Sequence, residues 1–468
     1  MNRAPAQGVK VTPPRVVPRR LEGRAQPLHD TGRRLDWVLP KDGLRVALFL
    51  LVVFSISRVH QHFGFLGAIR PGLTFLGLAG VLALANPSTL RTEAFSTWPA
   101  RIVMVLVGVA CLSVPFGLSM GNSGKFLLDA YFRMLAVYLL LLLSLRGVRD
   151  LSNFVWAFVL SVAILCWMAI FVFDLGQGLG SQMRLGNLYM YDANDLGVFL
   201  LIGIPLTLVV VDTSGRLGKL FGLVLLFAIG VAIARSGSRG AFVGLIGLGA
   251  AFVVWASHIS VLKRVGAVAA VILALLVAAP PGYWDQMNTL KSPKDDYNWQ
   301  SETGRKQLAQ RGFGYMLRYP LTGVGVDNFT KAEWQISSMA QEIGRTKGIR
   351  GKAAHNTWVQ IGAELGVTGL VLWCCLIFGT MWIVGRTRRR LPGSWKRGPP
   401  DRRLLYSLSF YLPLAIWGFA VPSTFVSHGY MDPMYYLAVI SAAYLVAVRS
   451  ALDEDRSRGE PGAVSVRA

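Results

Sequence analysis

A series of apolar runs, each close to the length that crosses a bilayer, covers almost the whole of this 468-residue chain. A spanning helix needs about 20 mostly apolar residues, whereas the strands of an outer-membrane barrel alternate between apolar and polar residues. The runs lie at residues 44–57, 73–85, 102–118, 126–145, 154–175, 196–211, 217–234, 241–256, 265–279, 367–384, 404–420 and 434–448. We therefore predict an all-α, polytopic integral membrane protein with about twelve transmembrane helices.

The charge of the chain fits this interpretation. Its 48 Lys and Arg residues exceed its 25 Asp and Glu residues, giving a net charge of +23, which in a soluble protein would suggest a nucleic-acid partner. Here the basic residues concentrate in the two tails and in every second connection, most densely in residues 386–403. Because basic connections stay in the cytoplasm, we predict cytoplasmic tails and no nucleic-acid partner. The four cysteines lie in apolar runs and indicate neither a disulfide framework nor a metal motif.

These signals divide the chain into five parts. Residues 1–43 form a disordered basic cytoplasmic tail, and residues 44–280 carry transmembrane helices 1 to 9. Residues 281–354 form an extracytoplasmic loop, far longer than a usual connection. Its aromatic residues, and a helix start at Ser301 and Glu302, predict a folded and partly helical segment. Residues 355–448 hold a helix at the outer face and helices 10 to 12, and residues 449–468 form a cytoplasmic tail.

His355 lies where the long loop returns to the membrane. If the chain is helical from His355 onward, the histidine shares one stripe with Val359, Gly362, Gly366 and Gly369. Such a small-residue stripe allows a neighbouring helix to approach closely. Because an imidazole is neutral near pH 7, His355 is a candidate general base. The alternative is a capping or interfacial histidine without chemistry.

Arg235 and Arg239 flank a Ser-Gly-Ser sequence directly before an apolar run on the same outer face. The N–H groups at a helix N-terminus, together with arginine, favour phosphate. Ser238 is the predicted N-cap of that helix. The alternative is a pair of arginines that snorkel to the membrane interface.

Arg184 is a further candidate for binding an anion on the outer face, ahead of the run at 196–211, whose predicted N-cap is Asn194 or Asp195. His428 lies on the same face, and we expect it to be dispensable. The outer face shows no His-x-x-x-His, paired Asp-x-Asp or Walker-type motif, so we predict no metal, no ATP and no cofactor.

Taken together, these motifs resemble the O-antigen ligase and polymerase superfamily of bacterial envelope glycosyltransferases. His355-Asn356, then nine residues, then Gly366-x-x-Gly369 is similar to the signature of that family: His, then Asn, Ser or Gln, then nine residues, Gly, two residues, and Gly, Thr or Tyr. Ser238-Arg239-Gly240, Arg184 with Asn194, and Pro320 with Gly323-x-Gly325 follow the order of the family's other motifs. The resemblance covers roughly residues 184–369.

The resemblance implies a glycosyltransferase of the bacterial inner membrane with a periplasmic active site. Its donor is a glycan on undecaprenyl pyrophosphate, and its acceptor is a hydroxyl of a glycan, of lipid A core or of a protein. His355 would be catalytic, and the substrate would contact Arg184, Arg239, Arg305, Arg235 and Asn356.

Two questions stay open at this stage. The family often places a Trp shortly after the loop arginine, and Arg305 lacks one, so Arg311 and Arg318 are alternatives to it. The sequence also does not separate a ligase from a polymerase or a protein O-oligosaccharyltransferase. A secondary transporter is the alternative from another class, but it would be expected to show charged residues or broken helices at mid-span.

Overall fold

The structure, a computed structural model, describes residues 42–177, 183–186, 191–256, 260–292, 301, 304–347 and 352–458. The predictions for the basic tail up to residue 41, for Glu302 and for the last ten residues lie outside the described residues.

Helices make up nearly all of the described chain. The first twelve are α1 Gly43–Ser57, α2 Gly64–Ile69, α3 Pro71–Ala85, α4 Trp98–Phe116, α5 Met120–Phe126, α6 Phe132–Ser144, α7 Val148–Trp167, α8 Ala193–Thr213, α9 Arg216–Ser236, α10 Arg239–Trp255, α11 Val261–Ala278 and α12 Tyr283–Asn288. The others are α13 Arg305–Arg318, α14 Phe329–Gln335, α15 Ser338–Lys347, α16 Thr357–Cys374, α17 Thr380–Arg388, α18 Pro400–Ala420 and α19 Asp432–Ser457. Two short antiparallel strands, β1 Leu175–Gln177 and β2 Met183–Leu185, form a hairpin.

The all-α, polytopic prediction is confirmed. Nine helical segments of the described chain are long and apolar enough to cross a membrane. The shorter apolar helices α1 and α10, and residues Arg264–Ala278 of α11, occupy the positions of the remaining predicted spans. Every predicted run overlaps a helix, because a segment that crosses lipid must satisfy its backbone hydrogen bonds internally.

The centre of the bundle is formed by α8, α18 and α19. In their most apolar stretches 78%, 83% and 83% of positions are buried, against 17% for the peripheral segment Gly64–Ala85. Gly418 lies at the crossing of α8 and α18, where an added Cβ would come within 2.8 Å of the Leu201 carbonyl oxygen. A glycine is therefore needed for the two backbones to approach this closely.

The bundle has two ends of different character. We call the end where α17 stops and α18 starts the basic end, because the connection around Arg386 and Arg397 lies there. Arg402 joins α18 to α19 at this end, with guanidinium nitrogens 2.6 Å from Asp455 and 3.0 Å from Glu454. The opposite end, where α8 and α16 start, is called the site end.

The loop predicted at residues 281–354, called the long segment below, is folded and partly helical where the structure describes it, as predicted. Its helices α13 and α14 share a second hydrophobic core, which includes Leu308, Tyr315 and Phe329. A bidentate ion pair between Arg311 and Glu333, with a shortest distance of 2.7 Å, joins α13 to α14. Helix α13 starts at Arg305, a few residues after the predicted start.

Candidate functional site

The continuous helical stripe predicted from His355 to Gly369 is wrong. Helix α16 starts at Thr357, because the Asn356 side chain accepts hydrogen bonds from the N–H groups of Trp358 and Val359 and so caps the helix. His355 lies outside the helix, with a φ of 47°. Gly366 interrupts the helix with a φ of 73° and a ψ of −171°.

The glycines of α16 still allow close contact, but with the long segment. An added Cβ on Gly362 would lie 2.8 Å from the Met316 sulfur of α13. At the break, the N–H of Val367 donates to the Pro320 carbonyl oxygen at 2.7 Å. The break therefore anchors the turn that follows α13. This turn sets the position of α13 at the site end.

His355 is a partly buried imidazole in a basic environment. Burial lowers its pKa below the usual value, and the positive charges of Arg305 and Lys352 lower it further, while Asp192 and Asp195 act in the opposite direction. The imidazole is therefore neutral at pH 7, the state in which it can accept a proton. The positive φ of His355 and the cap at Asn356 together hold the imidazole next to the start of α16.

Arg305 is the arginine of α13 whose positive charge acts on His355 and lowers its pKa. Its guanidinium carbon lies 5.9 Å from the centre of the Phe425 ring. Arg311 instead forms its ion pair with Glu333, and Arg318 lies over Tyr319, 5.7 Å from the ring centre. Of the three alternatives, the geometry favours Arg305.

Ser238 is the N-cap of α10, as predicted, and accepts a hydrogen bond from the Ala241 N–H at 3.1 Å. Its hydroxyl donates to the Asn194 side-chain oxygen at 2.6 Å, which joins the starts of α8 and α10. Arg239, the first residue of α10, donates to the Thr289 hydroxyl at 2.9 Å. Gly240 packs against Phe425, so the start of α10 and Arg305 contact the same aromatic ring.

Arg235 braces the backbone at the end of α7. Its Nε donates to the Ala169 carbonyl oxygen at 2.8 Å and its Nη2 to the Phe173 carbonyl oxygen at 3.3 Å. Through these hydrogen bonds Arg235 stabilises the turn that leads into the β1–β2 hairpin. Arg184, on β2, lies beside Gly237, whose added Cβ would be 3.0 Å from the Cβ of Arg184. The hairpin thus brings Arg184 to the turn between Arg235 and Arg239.

The start of α8 is capped by Asp192, and the prediction of Asn194 or Asp195 as N-cap is wrong. The Asp192 carboxylate accepts from the N–H groups of Asn194 and Asp195 at 2.6 and 2.8 Å, and the Asp192 N–H donates to Asp195 Oδ2 at 3.0 Å. Because this reciprocal capping box satisfies the first turn, the second carboxylate oxygen of Asp195 is available to a tertiary partner.

That partner is His428, a residue that sequence reasoning set aside. Its Nε2 lies 2.8 Å from Asp195 Oδ1, and its side chain is fully buried. The His428 N–H donates to the Thr357 hydroxyl at 3.0 Å, and that hydroxyl donates to the Val426 carbonyl oxygen at 2.8 Å. His428 therefore connects the start of α8 to the start of α16, two residues after His355. The only sequence signal for it is a histidine in a short connection between two apolar runs.

Arg58, at the end of α1, is a second residue of the site end that the motifs did not indicate. Its guanidinium carbon lies 4.5 Å from the centre of the Tyr191 ring, and its Nη2 lies 3.9 Å from Asp432. Burial lowers its pKa, but Tyr191 and Asp432 raise it more, so the guanidinium stays charged. Its buried Nη1 has no hydrogen-bond partner among the described residues.

Within the part of the chain that the structure describes, no group of three or more His, Cys, Asp or Glu side chains is placed to hold a metal ion. The side chains that converge at the site end are basic and neutral polar groups, with the carboxylates of Asp192, Asp195 and Asp432 beside them.

Comparison with known proteins gives one family. Residues 222–374 match the family model described as O-antigen ligase. The matched range includes Arg235, Arg239, Arg305 and His355, and it ends at the last residue of α16. No curated protein matches the chain.

Proposed function

Because residues 222–374 place the chain in the O-antigen ligase and polymerase superfamily, we propose that it transfers a glycan from undecaprenyl pyrophosphate to an acceptor hydroxyl at the site end of the bundle. The observation that carries this proposal is that Arg305 and the start of α10 contact the same Phe425 ring, while the charge of Arg305 also acts on His355 and lowers the pKa of its imidazole. A glycosyl transfer from a pyrophosphate needs both groups: a base for the acceptor and positive charge for the leaving group.

In the proposed reaction the acceptor oxygen attacks the anomeric carbon of the donor glycan. A new carbon–oxygen bond forms there as the bond to the pyrophosphate oxygen breaks, and the electron pair of that bond leaves with the pyrophosphate. His355 accepts the proton of the acceptor hydroxyl. Negative charge thus grows on the pyrophosphate while positive charge appears on the imidazole.

Arg305 and Arg239 are the proposed contacts for the pyrophosphate, with Arg184 on the hairpin as a third. Guanidinium groups bind phosphate oxygens in a bidentate manner, and the start of α10 adds backbone N–H groups and a positive dipole end beside Arg239. Because these groups can neutralise the leaving group, the proposed reaction needs no metal ion and no cofactor. We assign Arg235 and Asn356 to positioning, since both are occupied by backbone hydrogen bonds.

The proposed orientation follows the distribution of charge. The basic end is proposed to face the cytoplasm together with both termini, and the site end the periplasm of a bacterial inner membrane. The lipid carrier would then reach the site sideways from the bilayer, between helices.

A purified-protein assay with a lipid-linked donor tests the proposal. His355→Ala should lose transfer by on the order of 10² to 10⁴-fold and keep donor binding, whereas Arg239→Ala and Arg305→Ala should weaken donor binding as well. Arg239→Lys should restore only part of it, because Lys lacks the bidentate geometry. Arg318→Ala, on the same helix as Arg305, is the matched control and should transfer normally. Full transfer by His355→Ala would overturn the proposal.

The broken helix α16 and its buried Glu364 are features that a transporter would also show. Here they serve the docking of the long segment. The Glu364 carboxylate accepts from the N–H groups of Asp327 and Phe329, each at 3.1 Å, and the backbone of Pro320 fills the break at Gly366. The break is therefore filled by the backbone of the long segment, which favours the transferase over the transporter.

A further inference from the structure

A groove of about 1090 Å³ lies at the basic end, between α10, α17 and α18. Its lining includes four arginines, Arg386, Arg388, Arg389 and Arg390. Apolar and aromatic side chains complete the lining, among them Trp255, Trp382, Met381, Phe410 and Pro413. The proposed reaction gives this groove no role.

The four groove arginines differ from Arg402, at the start of α18, because no carboxylate of the described chain balances their charge. Arg402 is held between the carboxylates of Glu454 and Asp455. Among the described residues, none of the four groove arginines forms an ion pair. Arg386 instead lies 5.1 Å from the centre of the Trp382 ring, and Arg388 lies 4.8 Å from that of Phe410. Aromatic faces orient these cations without neutralising them.

The aromatic residues place the groove at the edge of the membrane. Trp255 is the last residue of α10, and Trp382 lies in the last two turns of the apolar segment Thr357–Arg388. They are 39% and 61% exposed, and tryptophan near the end of an apolar helix meets the lipid headgroups. Phosphates in the headgroup layer would therefore be level with the arginines, and acyl chains would run along Phe410 and Pro413.

We propose that this groove binds an anionic phospholipid of the surrounding leaflet. Four guanidinium groups match a headgroup with two phosphates better than one with a single phosphate, since each phosphate can take bidentate contacts from two arginines. The ligand is thus a doubly charged phospholipid of the cardiolipin type. Basic pockets between transmembrane helices are suited to such headgroups.

The groove is separate from the site end. The segment from Thr357 to Arg388 is broken at Gly366, but the helix after the break alone puts roughly 30 Å between the break and the groove arginines. Occupancy of the groove and glycan transfer can therefore be measured independently, and failure of one proposal leaves the other standing.

Binding of fluorescent cardiolipin to the purified full-length protein in detergent tests this inference. The groove variant carries Arg386→Gln, Arg389→Gln and Arg390→Gln. A basic residue near an anionic lipid contributes about a fivefold factor, so three substitutions should weaken binding on the order of 100-fold. The matched control carries Arg216→Gln, Lys219→Gln and Arg397→Gln, which remove the same charge at the basic end but outside the groove, and it should bind within about twofold of the parent.

Three competitors complete the test: phosphatidylethanolamine, inorganic phosphate and undecaprenyl phosphate should each displace cardiolipin weakly. An equal loss in the two triple variants would overturn the site in favour of unspecific attraction, and so would equal binding of phosphatidylethanolamine. Tighter binding of undecaprenyl phosphate would assign the groove to the carrier lipid, and full displacement by millimolar inorganic phosphate to a free anion. If the triple variant fails to fold, Arg389→Gln alone should lose about fivefold, and no loss would overturn the proposal.

Discussion

His428 Nε2 lies 2.8 Å from Asp195 Oδ1, although the two residues are 233 positions apart in the chain. Asp195 belongs to the first turn of α8, and His428 to the connection between α18 and α19. This contact joins two parts of the bundle directly behind the start of α16, and so supports the position of His355.

His428→Ala should destabilise the protein and reduce transfer, contrary to the expectation from sequence alone that His428 is dispensable. The substitution leaves the largely buried Asp195 carboxylate without its imidazole, and losing a hydrogen bond to a charged group costs about 1.5–3 kcal/mol. Thermal unfolding and transfer assays on His428→Ala, Asp195→Ala and the double variant form a mutant cycle. Additive effects in that cycle would show that the pair makes no coupled contribution.

The pH dependence of transfer should report the lowered pKa of His355. As the base must be neutral, kcat/KM falls when pH drops through this pKa, and the acid limb therefore lies below the usual histidine value. Lys352→Gln removes one of the charges that lower the pKa, so it should move the acid limb to higher pH. Lys331→Gln, an exposed lysine on α14, is the control. An unchanged acid limb in Lys352→Gln would contradict the assignment of His355 as the base.

Glu364→Ala should loosen the long segment from the bundle. The carboxylate is the acceptor for the N–H groups of Asp327 and Phe329, and an unsatisfied buried donor costs about 1–3 kcal/mol. The variant should unfold at lower temperature, and the turn before α14 should be cleaved faster by protease. Glu342→Ala, an exposed glutamate on α15, should behave like the parent. Equal protease resistance in both variants would show that Glu364 does not hold the turn.

Gly366→Ala and Gly314→Ala provide a matched pair of glycine substitutions. At Gly366 the left-handed φ of 73° strains any other residue, and the new Cβ would collide with the Pro320 carbonyl oxygen. We expect a loss of more than about 2 kcal/mol in unfolding free energy. Gly314 is in the middle of α13 with nothing within 4 Å of an added Cβ, so alanine should be neutral or slightly stabilising. Similar melting temperatures for the two variants would contradict the strained break.

The parts of the structure that follow from local sequence were predictable. Apolar density located the helices, and the Ser238 cap of α10 was found because its partner lies three residues away. The same reasoning failed at Asn356, where the side chain takes the first helical N–H groups and excludes His355 from the helix. The break at Gly366 was also hidden, because it depends on the Pro320 backbone, which only the folded long segment brings there.

In the candidate site, too, the residues with local motifs were predictable and those placed by tertiary contacts were not. The motif arginines could be recognised from the sequence as basic residues close to predicted helix starts. The choice among Arg305, Arg311 and Arg318 required the structure, because it shows that Arg311 forms an ion pair with Glu333. Arg58 and His428 carry no local motif. Both became visible only when α1, α8 and the connection after α18 met at the site end.

Cysteine labelling should establish which end of the bundle faces the periplasm. In a variant whose four native cysteines are replaced by alanine, Glu342→Cys lies on exposed α15 of the long segment, and Arg397→Cys lies at the exposed basic end. Since basic connections stay inside, a membrane-impermeant maleimide should label position 342 in cells with a permeable outer membrane. Position 397 should react only after the inner membrane is opened. The reverse pattern would place the His355 site in the cytoplasm, where the proposed periplasmic transfer from undecaprenyl pyrophosphate would be impossible.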